Sequence, residues 1–244
     1  MFDKNEFYRL YKEIFTANGL DEFCGDETVE KMLKMSERMV EVNEHMNLTA
    51  ITEPADIIAK HLADSVIASH YIPSGATVCD VGCGGGFPSL PLAIARPDIT
   101  ILGVDSTEKR INYVNESAKL LGLNNLKAIA GRAEDLSQEK DMREGFDICI
   151  ARAVAALPVL SELCIPFVKQ GGYFVAMKGR LNDDELTSAP QKLGAEKIDD
   201  SKITRYTLKC LASSEERCIV KLKKLAKTDV KYPRNYSQIK KKPL

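Results

Sequence analysis

The sequence predicts an α/β fold: a mostly parallel, seven-stranded sheet covered by helices on both faces, preceded by a helical extension. Three observations carry this. Short, almost wholly apolar segments alternate with amphipathic ones from residue 77 onward, the texture of a buried parallel sheet with crossover helices. A glycine-rich turn follows the first of these segments directly. The first 72 residues show only helical spacing of apolar side chains.

Taken in order, Phe7, Leu10, Tyr11, Ile14 and Phe15 mark a first helix that Asn18-Gly19 stops. Val29, Met32, Leu33, Met39 and Val40 mark a second, whose Met stripe (Met32, Met35, Met39, Met46) reads as core filling. Residues 47–53 break the pattern. Thr52 is expected to cap, and Pro54 to open, a third helix reaching about His70, with Ile57, Ile58, Leu62, Val66 and Ile67 inward. Strands are then predicted at 77–81, 100–104, 126–130, 147–151 and 173–177. Helices are predicted at about 88–95, 108–121, 158–169 and 183–193. Segments 202–208 and 217–222 leave no room for a helix between them and form an antiparallel edge hairpin. The organisation expected is a helical extension (1–72), a core (73–226) and a basic tail (227–244).

The chain has 244 residues, 34 basic and 35 acidic. Its composition, 28% charged and 44% hydrophobic, is that of a globular protein rather than a disordered one. No uncharged run exceeds 15 residues, too short for a membrane-spanning helix. The N-terminus has no apolar signal-peptide core. The seven cysteines, an odd number, read as reduced thiols of a cytoplasmic protein. Charge is uneven. Residues 221–244 hold nine Lys or Arg against Asp229 alone, net +8, and the remainder is −9. A basic tail on an acidic body suggests a polyanionic partner, although a solvated tail would look the same.

The strongest motif runs Val78-Cys79-Asp80-Val81-Gly82-Cys83-Gly84-Gly85-Gly86-Phe87-Pro88: strand, glycine turn, helix start. Glycine lets a ligand lie against the backbone. Asp105, the first residue after the second strand, stands 23 residues beyond Gly82, where an acid can accept from two ribose hydroxyls. A dinucleotide fingerprint would need glycine at 87, where Phe87 stands, and Pro88 removes an N–H that a pyrophosphate would use. S-adenosylmethionine, which has no phosphate, fits better. The other strands end at Arg132-Ala133-Glu134, Arg152 and Lys178-Gly179, so these residues should wall the same pocket. Glu134 can reach an adenine amino group and Ala133 can offer its N–H, although a helix N-terminal acid is an ordinary alternative for Glu134. His61 and Asp64 share a helix face, either fixing that helix to the core or walling a base pocket. His45 and His70 lack partners at ligand spacing, and no metal site is expected. No Gly-x-Ser-x-Gly turn supports a hydrolase.

Several segments together resemble the bacterial 16S rRNA guanine-N7 methyltransferases of the glucose-inhibited division protein B type. They are Met46-Asn47-Leu48-Thr49-Ala50-Ile51, His61-Leu62-Ala63-Asp64-Ser65, the glycine turn, Val104-Asp105-Ser106 with Lys109-Arg110, Arg132-Ala133-Glu134, Ala151-Arg152-Ala153-Val154 and Lys231-Tyr232-Pro233-Arg234. The resemblance implies a class I, Rossmann-like methyltransferase core. It implies S-adenosylmethionine contacts from Gly82, Gly84, Phe87, Asp105, Ser106, Thr107, Ala133, Glu134 and Arg152. It also implies 16S rRNA or the small ribosomal subunit as partner, with RNA contacts from Lys178 and, in the tail, Lys231, Arg234 and Lys241. Where the family tail continues Pro-Gly, this chain has Asn235-Tyr236. Guanine N7 carries an exposed lone pair and loses no proton, so no general base is demanded. A small-molecule methyltransferase and a non-catalytic RNA-binding protein remain alternatives.

Overall fold

The computed structural model describes residues 2–244. Its single sheet has seven strands in the order β3-β2-β1-β4-β5-β7-β6. They are β1 Thr77–Val81, β2 Thr100–Asp105, β3 Leu126–Ala130, β4 Phe146–Arg152, β5 Val168–Lys178, β6 Ile203–Lys209 and β7 Ser214–Lys223. The first five are parallel. β7 lies antiparallel between β5 and β6, so the predicted hairpin is present, inserted backwards at the edge. Alternate strand residues feed two cores. Val78, Ile101, Ile148 and Val175 face one, and Cys79, Cys149, Phe174 and Ala176 face the other.

The extension packs on the first of these cores. α1 (Lys4–Ala17) is capped by Asp3, whose side chain accepts from Glu6 N, and buries all five predicted residues. α2 (Asp26–Met46) ends at Asn47 in the left-handed conformation. Met32, Met35 and Met39 are fully buried, as core filling requires. Residues 54–71 then form one continuous helical rod: α3 (Pro54–Asp56), a π-helical stretch (Ile57–Ala63), α4 (Asp64–Val66) and a 3₁₀ turn (Ile67–Tyr71). Pro54 opens it as expected, but Glu53, not Thr52, holds the cap position and no side chain caps it.

The crossover helices are α5 (Ser89–Ala95), α6 (Glu108–Leu120), α7 (Ala133–Leu136) and α8 (Leu157–Cys164). α8 stops five residues before the predicted end. Pro166 has no N–H for the helical ladder, so the chain tightens to 3₁₀ over Ile165–Phe167 and enters β5 at Val168. The helix predicted at 183–193 is only a 3₁₀ turn (Asp183–Glu185) and α9 (Ala189–Lys192). Pro190 breaks the ladder, and Glu185 turns inward to bond Leu157 N. The last helix, α10 (Tyr236–Lys241), is capped by Asn235.

The basic C-terminal segment differs from a solvated tail. Lys221 and Lys223 belong to β7, and Lys224 is buried with its ammonium on Glu144, Thr228 and two carbonyls. Beyond it the chain folds back on the core, and Ile239 is fully buried. Among the described residues no helix is long and apolar enough to cross a membrane.

Candidate active site

Strand order reverses at β1, which has β2 on one side and β4 on the other. At such a point the two crossovers diverge and leave a crevice beyond the strand ends. The glycine turn lies there. Gly82, Gly84 and Gly86 have φ of +76°, +52° and +88°, a region side chains rarely enter. A Cβ on Gly82 would meet Val154 Cγ2 at 2.6 Å, and one on Gly86 would meet Leu90 Cδ1 at 2.4 Å. One on Gly84 would meet only a carbonyl at 3.8 Å. Two of these glycines therefore serve backbone shape and protein packing, a departure from the expectation of a floor bared for a ligand, and Gly84 is the open one. Gly82 N and Cys83 N bond Val104 O at 2.7 and 3.1 Å, which ties the turn to the end of β2.

Asp105 completes the tie. Its Oδ2 accepts from Gly84 N at 3.1 Å and its Oδ1 from Thr107 N at 2.8 Å, so one carboxylate holds the glycine turn and the start of α6 together. The crevice, about 340 Å³, is lined by Gly82, Asp105, Ser106, Ala133 and Glu134. The sequence nominated all five. Gly84 and Thr107 join it through Asp105. Arg132, Val154, Ala155, Leu163 and Tyr236 line it as well. Glu134 is nearly buried, with Oε1 accepting from Arg132 Nε at 2.6 Å.

Phe87 and Arg152 are placed elsewhere. The Phe87 ring stacks on His61 with centroids 4.5 Å apart, and the Arg152 guanidinium lies 5.2 Å from its centre. Arg152 lines a second, polar pocket of about 510 Å³ between the helical rod and the ends of β4, β5 and β7. Asp64 is its hub. It accepts from Arg152 Nη1 at 3.2 Å and from Tyr206 Oη at 3.2 Å, and it pairs with Arg217 Nε at 3.4 Å. His61 does not bond Asp64. Its Nε2 lies 2.7 Å from Thr49 Oγ1, and its Nδ1 is buried with no partner among the described residues. Burial, with Arg152 beside it, lowers the His61 pKa to about 3. Lys178 also lines this pocket, but its ammonium is paired with Glu185 and bonds Ala155 O, so it is a wall residue rather than an outward cation.

Residues 152–155 contribute to both spaces. Arg152 and Ala153 line the polar pocket, and Val154 and Ala155 line the crevice. Ala153, where the run passes from one space to the other, has a φ of +55°, a strained left-handed position.

A model of the family described as rRNA small subunit methyltransferase G matches residues 28–215. Ribosomal RNA small subunit methyltransferase G of Lactobacillus helveticus is 44% identical over 213 residues, covering 84% of this chain and 87% of that one. The protein of the same name from Brevibacillus brevis is 40% identical over 236 residues, 96% and 98% of the two chains. The chain belongs to the rRNA small subunit methyltransferase G family. Among solved structures, a SAM-dependent methyltransferase from Methanosarcina mazei aligns with a TM-score of 0.51 at 17% identity, over 66% of this chain and 98% of that one. M. jannaschii TYW2 in complex with AdoMet aligns with the same score and identity, over 66% and 75%. These likenesses establish the fold, that of S-adenosylmethionine-dependent, Rossmann-like methyltransferases.

In this member of the rRNA small subunit methyltransferase G family the C-terminal residues nominated for RNA are in different states. Arg234 is committed to the fully buried Glu162 through Nε (2.8 Å) and Nη2 (2.6 Å) and anchors the segment. Lys231 is exposed but pairs with Asp229 at 3.0 Å. Lys241 is exposed on α10. Sequence reading missed Tyr236 in the crevice and Lys60, Tyr206, Glu215 and Arg217 in the polar pocket. The two-residue spacing of Glu215 and Arg217 on a strand, which puts both on one face, was the one signal available for them.

Proposed function

We propose that this protein transfers the methyl group of S-adenosylmethionine to N7 of a guanosine in 16S rRNA. The crevice binds the cofactor and the polar pocket receives the base. The observation that carries this is the run of residues 152–155, which lines first the polar pocket and then the crevice and so sets the two spaces side by side at the switch point of the sheet. The crevice fits the cofactor's nucleoside. Asp105 and Glu134 supply acceptors for ribose hydroxyls and an exocyclic amine, and Val154, Ala155 and Leu163 supply apolar surface.

When bound, S-adenosylmethionine supplies an electrophilic methyl on a sulfonium. The rest falls to the chain. N7 has its own lone pair, so the pocket's task is to hold the base in line rather than to remove a proton. His61 remains neutral at pH 7 and adds no charge against a guanine that becomes cationic. Asp64 and Glu215 provide carboxylates in the same pocket. The seven unpaired thiols suit a cytoplasmic enzyme.

The test is methylation of 16S rRNA or small subunits, isolated from a strain lacking the protein, with labelled cofactor. Label at guanine N7 is the expected result. Label confined to a small molecule, or none despite cofactor binding, rejects this function.

A further inference from the structure

The C-terminal segment is built as a part of the crevice. Arg143 donates to three of its carbonyls, Thr228 O (3.0 Å), Asp229 O (3.2 Å) and Tyr232 O (2.9 Å). Arg234 donates from its backbone N as well as its guanidinium to Glu162, which is fully buried on α8. Ile239 is sealed in the core one turn further on. Charge-assisted hydrogen bonds of this density fix a backbone, whereas a solvated basic tail would leave these cations in water. The consequence is the position of Tyr236, two residues beyond Arg234.

Tyr236 lines the crevice. The Arg132 guanidinium lies 4.9 Å from its ring centre, and Arg132 Nε in turn bonds Glu134. Glu134, Arg132 and Tyr236 thus form a continuous side-chain wall, acid to cation to aromatic face. The tyrosine is still 36% exposed there, so part of its ring remains open to an occupant. We propose that Tyr236 is a cofactor-binding residue, the aromatic face against which the adenine of S-adenosylmethionine packs, and that the folded-back C-terminus is a structural wall of the cofactor site. This rests on the reading that the crevice takes S-adenosylmethionine. It follows by linkage that cofactor and docked segment stabilise one another.

The test uses the full chain and S-adenosylhomocysteine. Calorimetry should show Tyr236→Ala binding about tenfold more weakly than the unmodified protein, the scale of one aromatic contact, and Tyr236→Phe binding within about twofold. Hydrogen exchange on the unmodified protein should show residues 228–241 slowed at saturating ligand, a readout that needs no variant to fold. Equal affinity of Tyr236→Ala, or unchanged exchange in 228–241 while residues 82–86 are protected, overturns the wall. No binding to the unmodified protein overturns the crevice assignment itself and the wall with it.

Discussion

Asp64 and Arg152 are 88 residues apart in the chain and meet at 3.2 Å, joining the helical rod to the end of β4. Both side chains are nearly enclosed, and Arg217 shares the same carboxylate. Removing Asp64 leaves the Arg152 guanidinium without its carboxylate beside Arg217, which keeps Glu215. Asp64→Ala should therefore lose about 3–5 kcal/mol in urea unfolding, the scale for breaking a buried pair. Arg152→Met in the same chain should restore part of the loss. A loss below about 1 kcal/mol for Asp64→Ala would show that water reaches the cluster.

Asp105 serves the turn and the ligand at once. Asp105→Ala deletes the acceptor of Gly84 N and Thr107 N and the expected partner of the ribose. S-adenosylhomocysteine affinity should fall by about 1–3 kcal/mol, and the ligand-free protein should also melt earlier. Unchanged affinity in calorimetry would put the ribose elsewhere.

Asp80 predicts a pH dependence. It is fully buried, and burial raises its pKa to about 6 despite the Ser89 hydroxyl and Arg152, which act the other way. Between about pH 4 and pH 6 the folded chain keeps a proton that the unfolded chain has released. Stability from this group therefore falls as pH rises through that window and stays low above it, by about 3 kcal/mol in all. Urea unfolding of ligand-free protein at pH 4.5 and pH 7 should show about 2 kcal/mol of this change. Asp80→Asn should remove this component and be the more stable chain at pH 7.

Lys240 and Lys241 on α10 and Lys242 just beyond it are exposed cations of the C-terminus that can meet phosphate. Neutralising Lys240, Lys241 and Lys242 to Gln should lower the slope of log K against log salt for RNA binding by about 2, at roughly 0.7 per contact with single strands. S-adenosylhomocysteine affinity should not move, because Tyr236 and Arg234 are untouched. An unchanged slope would remove α10 from the RNA surface.

Features that repeat over short range were readable from the residues alone. Strand texture, the glycine turn, Pro54 at a helix start and Asp105 at the end of β2 all follow from local sterics and side-chain periodicity, so five of the crevice residues were legible as strand-end positions. Helix lengths near prolines were less so. Glu185 and Pro190 settled 183–193 by a buried hydrogen bond and a missing donor, which periodicity does not weigh. The remainder came from long-range packing. Asp64 with Arg152 and Arg217, His61 on Phe87, and Tyr236 beside Arg132 join segments far apart in the chain, and no local pattern records such a meeting. The basic C-terminus looked like a free cation-rich tail because charge counts ignore partners. Buried Glu162 and the carbonyls around Arg143, supplied by distant elements, bound it to the core instead.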